Sequence, residues 1–400
     1  MSKFKLNIPS DQIEQQNNND EFIEELGLQE NGEDNRWTDE DKKTVGNAVV
    51  FSTDWTTETI INQIKKGNIE LNPSFQRRDA WTSPEKSRFI ESLIIGLPIP
   101  QIVLANNSTS PGKYIVLDGK QRLLSLFQFA GGIASNKELV LSKLKIRDDL
   151  NGLRYKDLVS HPSWSGEVSS FENQPIRTVV IKNFPHESFL YEVFLRLNTG
   201  SKPLSPQELR QALHPGSFTM FIDDYAANSS ALMDILNKRT PDFRMRDVEL
   251  LLRAISYHFF LENYNGDLKG FLDNVCMTFN SCWDNAEFEV NAFCKKFEDA
   301  HWFVREIFKE NSYRKYTNGK FTNRFNRAIL DSMIYHFIDK DVRNSLVGKE
   351  DDIKAAFINL CETNPEYINS IESTTKTPEA TNYRISIWGE ELRKLGAPIK

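Results

Sequence analysis

The run Tyr114-Ile115-Val116-Leu117-Asp118-Gly119-Lys120-Gln121-Arg122-Leu123 constrains the fold more than any other segment. Its first four residues are apolar or aromatic and fit a strand. A tight charged turn follows, and Leu123 to Ala130 reads as a helix stopped by Gly131-Gly132. A strand that passes straight into a helix N-terminus gathers backbone N–H groups into an anion site. Gly119 permits a positive φ or a close backbone approach. Lys120 and Arg122 set positive charge beside that point, and Asp118 has the chemistry to hold Mg²⁺ or orient a water. The pattern suits a phosphate, although the chain has no G-x-x-x-x-G-K-[ST] run. An ordinary strand-to-helix turn with solvated Lys and Arg has the same local pattern, so this turn alone leaves both readings open.

The elements around it are short and mixed. Thr57 to Lys66 has Ile60, Ile61 and Ile64 at helical spacing, and Ile69 to Asn72 is extended up to Pro73. Ser83 as N-cap and Pro84 open a helix with the stripe Phe89, Ile90, Leu93 and Ile94, which ends at Gly96-Leu97-Pro98-Ile99-Pro100. Strands are expected over Gln101 to Ala105, Tyr114 to Leu117 and Arg177 to Asn183, the last with Val179, Val180 and Ile181 buried. Residues 133 to 175 are less regular, and Phe189 to Leu197 reads as a helix. Ser205 with Glu208 three residues later is a capping box. From about 217 onward the pattern is helical, as over Asp247 to Glu262, Ala286 to Lys309 and Asn323 to Phe337. The fold class is therefore α+β: a small mixed α/β domain over 44–215, then an all-helical domain over 216–400, with no internal repeat.

Two further clusters carry charge. Asn72-Pro73-Ser74-Phe75-Gln76-Arg77-Arg78-Asp79-Ala80-Trp81 sets arginines beside aromatics, a combination that suits phosphate and base contacts. Phe75 and Trp81 serve equally as core anchors with exposed arginines beside them. Phe194 to Ser205 contains the turn Asn198-Thr199-Gly200, flanked by Arg196 and Lys202. By itself that segment is a connection between two helices.

The charge is unevenly placed. Residues 1–43 hold twelve acids and five bases, and their net charge of -7 equals that of the whole 400-residue chain. The remainder is neutral. Residues 1–43, with the polar run Gln15 to Asn19, read as a mostly disordered acidic tail with a short helix around Phe22 to Leu28. Such an arm is placed to shield a locally basic pocket fed by Arg77, Arg78, Lys86, Arg88, Lys120 and Arg122. Composition sets the remaining bounds. A 39% hydrophobic chain with 27 Phe closes a large core, and bulk charge does not fit a basic DNA-coating protein. No apolar run approaches the ~18–20 residues of a membrane helix, and Met1 to Ser10 lacks a secretory core. The cysteines Cys276, Cys282, Cys294 and Cys361 form no C-x-x-C pair and read as reduced thiols of a cytoplasmic protein.

Taken in order, the clusters make a set. Gln76-Arg77 with Trp81, Glu91-Ser92-Leu93-Ile94-Ile95-Gly96-Leu97-Pro98-Ile99-Pro100, Asp118-Gly119-Lys120-Gln121-Arg122 and Asn198-Thr199-Gly200-Ser201-Lys202-Pro203-Leu204-Ser205 stand in sequence. This resembles the N-terminal domain of GmrSD-type restriction proteins, a ParB/sulfiredoxin-like family with Q-R-x-x-x-W, E-S-(I/L)-x-x-G-x-P-(I/V)-P, D-G-Q-Q-R and N-x-x-G-x-x-L-S elements. The likeness covers roughly residues 55 to 280. Lys120 departs from the family's Gln. The resemblance implies a nucleotide-handling domain of a restriction or phage-defence type system, with Mg²⁺ and a nucleoside triphosphate of unspecified base. Asp118, Gln121 and Arg122 would carry the chemistry and Asp118 the metal. Gln76, Arg77, Gly119, Lys120, Arg122 and Asn198 would bind the nucleotide.

Proteins of this family pair the domain with an HNH-type nuclease domain, which needs a His-centred metal site. His301 and His336, the last of six histidines, sit in helical, aromatic-rich sequence (His301-Trp302-Phe303 and Tyr335-His336-Phe337) without that pattern. The expectation is an NTPase or nucleotide switch without its own HNH domain, partnered by a separately encoded nuclease or modification protein and by DNA. The alternatives are a non-enzymatic DNA-sensing or protein-interaction module, and a ParB-like nuclease, which ranks last because no two-metal carboxylate cluster is visible.

Overall fold

The computed structural model describes residues 4, 49–69, 81–106, 112–131, 138–184, 190, 205–373 and 375–399. The chain divides into two compact units, Asn35–Leu213 and His214–Lys400 with Met1–Asp34. Apart from Phe4, the expected acidic tail lies outside the described residues, as does the expected helix over Phe189 to Leu197 apart from Leu190. Phe4 packs edge-on against Phe259 and Phe279, with ring centroids at 5.8 and 5.2 Å.

The first unit is built on four strands: β1 (Val49–Thr56), β2 (Ile102–Asn106), β3 (Tyr114–Asp118) and β4 (Pro175–Lys182). Their order is β1-β4-β2-β3. β4 runs antiparallel to β1 and parallel to β2, and β3 runs antiparallel to β2. β2 is buried over Ile102 to Ala105 because both of its faces are covered. Ile102 and Leu104 enter one apolar cluster, while Val103 and Ala105 enter a second with Leu209. Val103 pairs with Asp118 but Leu104 pairs with Val116, so Leu117 is an extra residue in β3. Such a bulge turns the strand end, and here that end carries Asp118.

The helices of this unit are α1 (Thr57–Lys65), α2 (Ser83–Ile94), α3 (Lys120–Ala130), α4 (Tyr155–Ser160), α5 (Ser165–Asn173) and α6 (Pro206–Leu213). The stripe Phe89, Ile90, Leu93 and Ile94 is buried as its spacing requires. The cap of α2 is Thr82, one residue before the expected Ser83. Its N–H and Oγ1 both donate to Glu85 Oε2 at 2.8 Å, and Glu85 stands three residues after Thr82, the spacing of a capping box. The less regular stretch over 133 to 175 contains α4 and α5, the latter anchored by Phe171.

The second unit comprises α7 (Ser217–Asn228), α8 (Ser230–Ile235), α9 (Arg246–Phe260), α10 (Leu268–Ser281), α11 (Trp283–Phe308), α12 (Arg327–Phe337), α13 (Lys340–Leu346), α14 (Glu350–Thr363), α15 (Pro365–Glu372) and α16 (Pro378–Lys394). Its core is aromatic, with Phe357 edge-on to Trp388 at 5.7 Å. It is not all helical. A hairpin joins β5 (Arg314–Thr317) to β6 (Lys320–Phe325), and Asn323 lies in its second strand rather than in a helix. Asn318 and Gly319 turn it with φ of 50° and 76°, the backbone that a two-residue hairpin turn demands. Helix α12 then starts under Asn326, whose side chain accepts from Ile329 N at 3.1 Å. The four cysteines are free thiols, three of them buried. No described helix is long and apolar enough to cross a membrane.

Asp242, buried before α9, accepts from Arg244 N at 2.9 Å and Arg246 Nη2 at 2.8 Å, and pairs with Lys238. Burial works to raise its pKa, but Arg246 and Lys238 overcome it and hold the carboxyl at about 2, below its usual 3.8. A depressed pKa contributes stability above the unfolded value that is lost as pH falls through the folded one. Asp242→Asn should therefore cost about 2 kcal/mol at pH 7 and remove that part of the acid transition between pH ~4 and ~2. Urea unfolding of both proteins across that range measures it.

Candidate functional site

The junction of β3 and α3 is set by Gly119. It adopts φ 98° and ψ 13° as the N-cap of α3. A Cβ there would stand 3.0 Å from Ile102 Cγ1 and 3.3 Å from Arg122 Nε, so both the conformation and the space call for glycine. Helix α3 starts at Lys120, three residues earlier than the apolar spacing indicates.

That start poses an electrostatic problem. The positive end of a helix dipole favours acids in the first turn. Here the first turn has none and contains Lys120 and Arg122. The compensating carboxylates come from outside the helix. Arg122 Nη2 donates to Asp118 Oδ2 at 2.7 Å and to the carbonyl of Gln101 at 2.9 Å. Lys120 Nζ donates to Glu208 Oε1 at 3.0 Å, with both side chains 7% exposed. Glu208 Oε2 also accepts from Ser205 N at 2.7 Å, while Ser205 Oγ accepts from Glu208 N at 3.0 Å. The expected capping box is present, and its carboxylate also neutralises Lys120. Arg122 Nε is buried without a hydrogen-bond partner.

Gln121 completes the junction: its Oε1 accepts from Trp81 N at 3.3 Å. Lys86 on α2 donates to Gln128 Oε1 of α3 at 2.6 Å. Glu91, also on α2 and buried, accepts from Ile146 N at 3.2 Å and Arg147 N at 2.8 Å. Described residues at or beside three of the elements surround the turn at 118–122: Trp81 of the first bonds Gln121, Gln101 just beyond the second accepts from Arg122, and Ser205 of the last caps the helix of Glu208, the partner of Lys120. Of the site residues expected from the sequence, Asp118, Gly119, Lys120, Gln121 and Arg122 are brought together. Gln76, Arg77 and Asn198 lie outside the described residues, as does Arg78.

Two features were not foreseen. Glu208 was legible as a cap but not as the partner of Lys120, since nothing local announces a contact 88 residues away. The basic character expected of this region is matched internally: Lys120 and Arg122 face carboxylates, and Lys86 faces an amide. The histidines stand elsewhere. His301 on α11 bonds Asp234 and Tyr313 at 3.1 Å, and His336 on α12 bonds the carbonyl of Ile385 at 2.8 Å. Among the described residues, no group of three or more His, Cys, Asp or Glu is placed to hold a metal.

Residues 57–215 match the family model described as GmrSD restriction endonuclease, N-terminal domain. The chain carries a GmrSD N-terminal domain. The matched span runs from α1 through α6 and encloses all four elements. It makes the chain a component of a restriction or phage-defence type of system. Comparison of the chain with curated proteins and with solved structures found no match.

Removing one member of a buried ion pair strands the other charge, at about 3–5 kcal/mol. Glu208→Ala should lose about that much, since the cap on Ser205 goes with it. Lys120→Met should lose a comparable amount, and the double variant less than the sum. A double-mutant cycle by urea unfolding reads the coupling, and additivity would show that the pair contributes nothing.

Proposed function

We propose that the GmrSD N-terminal domain of this chain binds a nucleoside triphosphate with Mg²⁺ at the N-terminal end of α3 and hydrolyses it. In this reading it is the nucleotide-handling part of a restriction or phage-defence type system, acting on DNA with a separately encoded nuclease or modification protein. The observation that carries the reading is the left-handed Gly119 turn at the N-terminus of α3, with Asp118, Lys120, Gln121 and Arg122 gathered around it. The turn brings a strand end directly to the first N–H groups of a helix, the kind of backbone arrangement that accepts phosphate, with Gly119 packed closely against Ile102 and Arg122.

The two ion pairs take different parts. Lys120 and Glu208 are both buried, so their pair fixes the turn. Asp118 is 24% exposed and its bond to Arg122 is the exchangeable one. Arg122 is the group that neutralises phosphate charge when its bond to Asp118 exchanges. Asp118 is the carboxylate for Mg²⁺, and one protein carboxylate suffices where phosphates and waters complete the octahedron. The metal, when bound, draws charge from the phosphate oxygens. Gln121 orients the attacking water, and Gln76, Arg77 and Asn198 line the nucleotide.

A second reading is favoured by the internal pairing of Lys120 and Arg122. The turn is then a fixed joint, and the domain is a DNA-sensing or protein-interaction module without turnover. The deciding experiment is phosphate release and binding with ATP, GTP, CTP and UTP, with Mg²⁺, with and without DNA. Turnover of at least one nucleotide is expected, reduced about 100-fold in Arg122→Ala and in Asp118→Asn, with melting curves to show that the variants fold. Neither binding nor turnover with any nucleotide, or full activity in a folded Asp118→Asn, overturns the reading.

A further inference from the structure

The second unit contains a cavity of about 420 Å³ that the nucleotide reading does not use. One stripe of α7 supplies Phe221, Asp224, Tyr225 and Asn228, spaced at three, four and seven residues so that they share a helix face. Glu298 of α11 faces them, together with the α7–α8 corner at Ser229 and Ser230. Among the described residues lining this cavity there is no Lys, Arg or His.

The lining is aromatic and anionic. The rings of Phe221 and Tyr225 lie 6.0 Å apart at 36°, and Phe221 rests on Trp283 at 5.0 Å. That backing holds the Phe221 ring in place. Glu298 Oε2 accepts from Ser230 Oγ at 2.8 Å and from Ala231 N at 3.0 Å, and its Oε1 accepts from Ser229 Oγ. These bonds fix the carboxylate while leaving it acceptor capacity, since two oxygens offer about four lone-pair directions. Asp224 is exposed and adds a second carboxylate. The surroundings also act on Tyr225: burial pushes its phenol pKa up, and Cys294, Glu298 and Asp299 add to the rise. Of these causes only the nearby carboxylates of Glu298 and Asp299 have the sign that attracts a cation, since burial disfavours charge of either sign.

We propose that this cavity is a binding site for an organic cation, an alkylammonium or guanidinium group held over the Phe221 and Tyr225 rings and balanced by Glu298 and Asp224. Ring faces attract such cations through their quadrupole, most strongly where water is partly excluded. The cation has two possible sources, a free amine or the Lys or Arg side chain of a partner protein, and both present the same chemistry. The proposal does not depend on the nucleotide reading, because every group it uses lies in the helical unit.

The test is titration of the full chain, followed by calorimetry and ligand-observed NMR. The probes are arginine amide, n-butylammonium, an acetylated Gly-Arg-Gly amide peptide and the neutral isostere citrulline amide. Saturable binding of arginine amide on the order of 1 mM is expected, with citrulline amide about tenfold weaker or worse. Tyr225→Leu and the exposed Asp224→Asn should each weaken it about tenfold without moving the unfolding midpoint. Binding of the peptide above that of n-butylammonium assigns the site to a partner's side chain, and the reverse order assigns it to a free amine. Equal binding of citrulline amide, no saturation with any cationic probe, or unchanged binding in folded Asp224→Asn overturns the proposal.

Discussion

Two cations stand at the positive end of α3, where a helix prefers acids, and the architecture of the first unit serves to compensate them. Asp118 reaches Arg122 because a bulge in β3 turns the strand end toward the helix. Glu208 reaches Lys120 because α6 is seated on the sheet face where Leu209 meets Val103 and Ala105. Gly119 makes the junction short enough for both contacts, since its left-handed backbone passes Ile102 with no room for a side chain. The strand order, the bulge and the C-terminal helix of the unit therefore converge on one charge balance.

The magnitudes separate the two pairs. An ion pair with both members buried is costly to break, because desolvation is already complete and either charge left alone keeps its full penalty. A pair with one member in contact with water exchanges partners at much lower cost. Lys120–Glu208 is of the first kind and Asp118–Arg122 of the second. The lysine that departs from the family's D-G-Q-Q-R pattern is thus the residue held by the more sheltered of the two carboxylates that pair with α3. A glutamine there would need no such partner, so Lys120 and the second use of Glu208 belong together.

What could be read from the sequence was local. The strand, turn and helix over 114–130 have apolar spacing and a glycine at the one position that needs it, and Ser205 with Glu208 is a four-residue signal. The buried stripe of α2 is equally local, although its cap lies at Thr82, since two neighbouring hydroxyl residues compete and the reach of Glu85 decides between them. The pairing of Lys120 with Glu208 depends on tertiary placement and leaves no trace in either segment. The β5–β6 hairpin was hidden for another reason. Its strands carry Arg314, Lys315, Lys320 and Arg324 and are only partly buried, so no apolar alternation stands out. Asn318-Gly319 was the available signal, and the helical spacing on both sides obscured it.

Net charge says little about such a molecule. The excess of acids belongs to residues 1–43, and the rest of the sequence sums to zero. Within that neutral remainder the charges are arranged in opposite senses. At the start of α3, side-chain charge cancels in pairs, so the proposed affinity for a phosphate would rest on backbone N–H groups and on Arg122 exchanging its partner. Along α7 and α11, the carboxylates of Asp224 and Glu298 line a cavity with aromatic rings and no basic residue among the described lining, and the proposed preference there is for cations. Each preference is set within a few ångströms by desolvation and by which oppositely charged group lies in reach. A locally selective surface therefore needs no bulk charge of either sign.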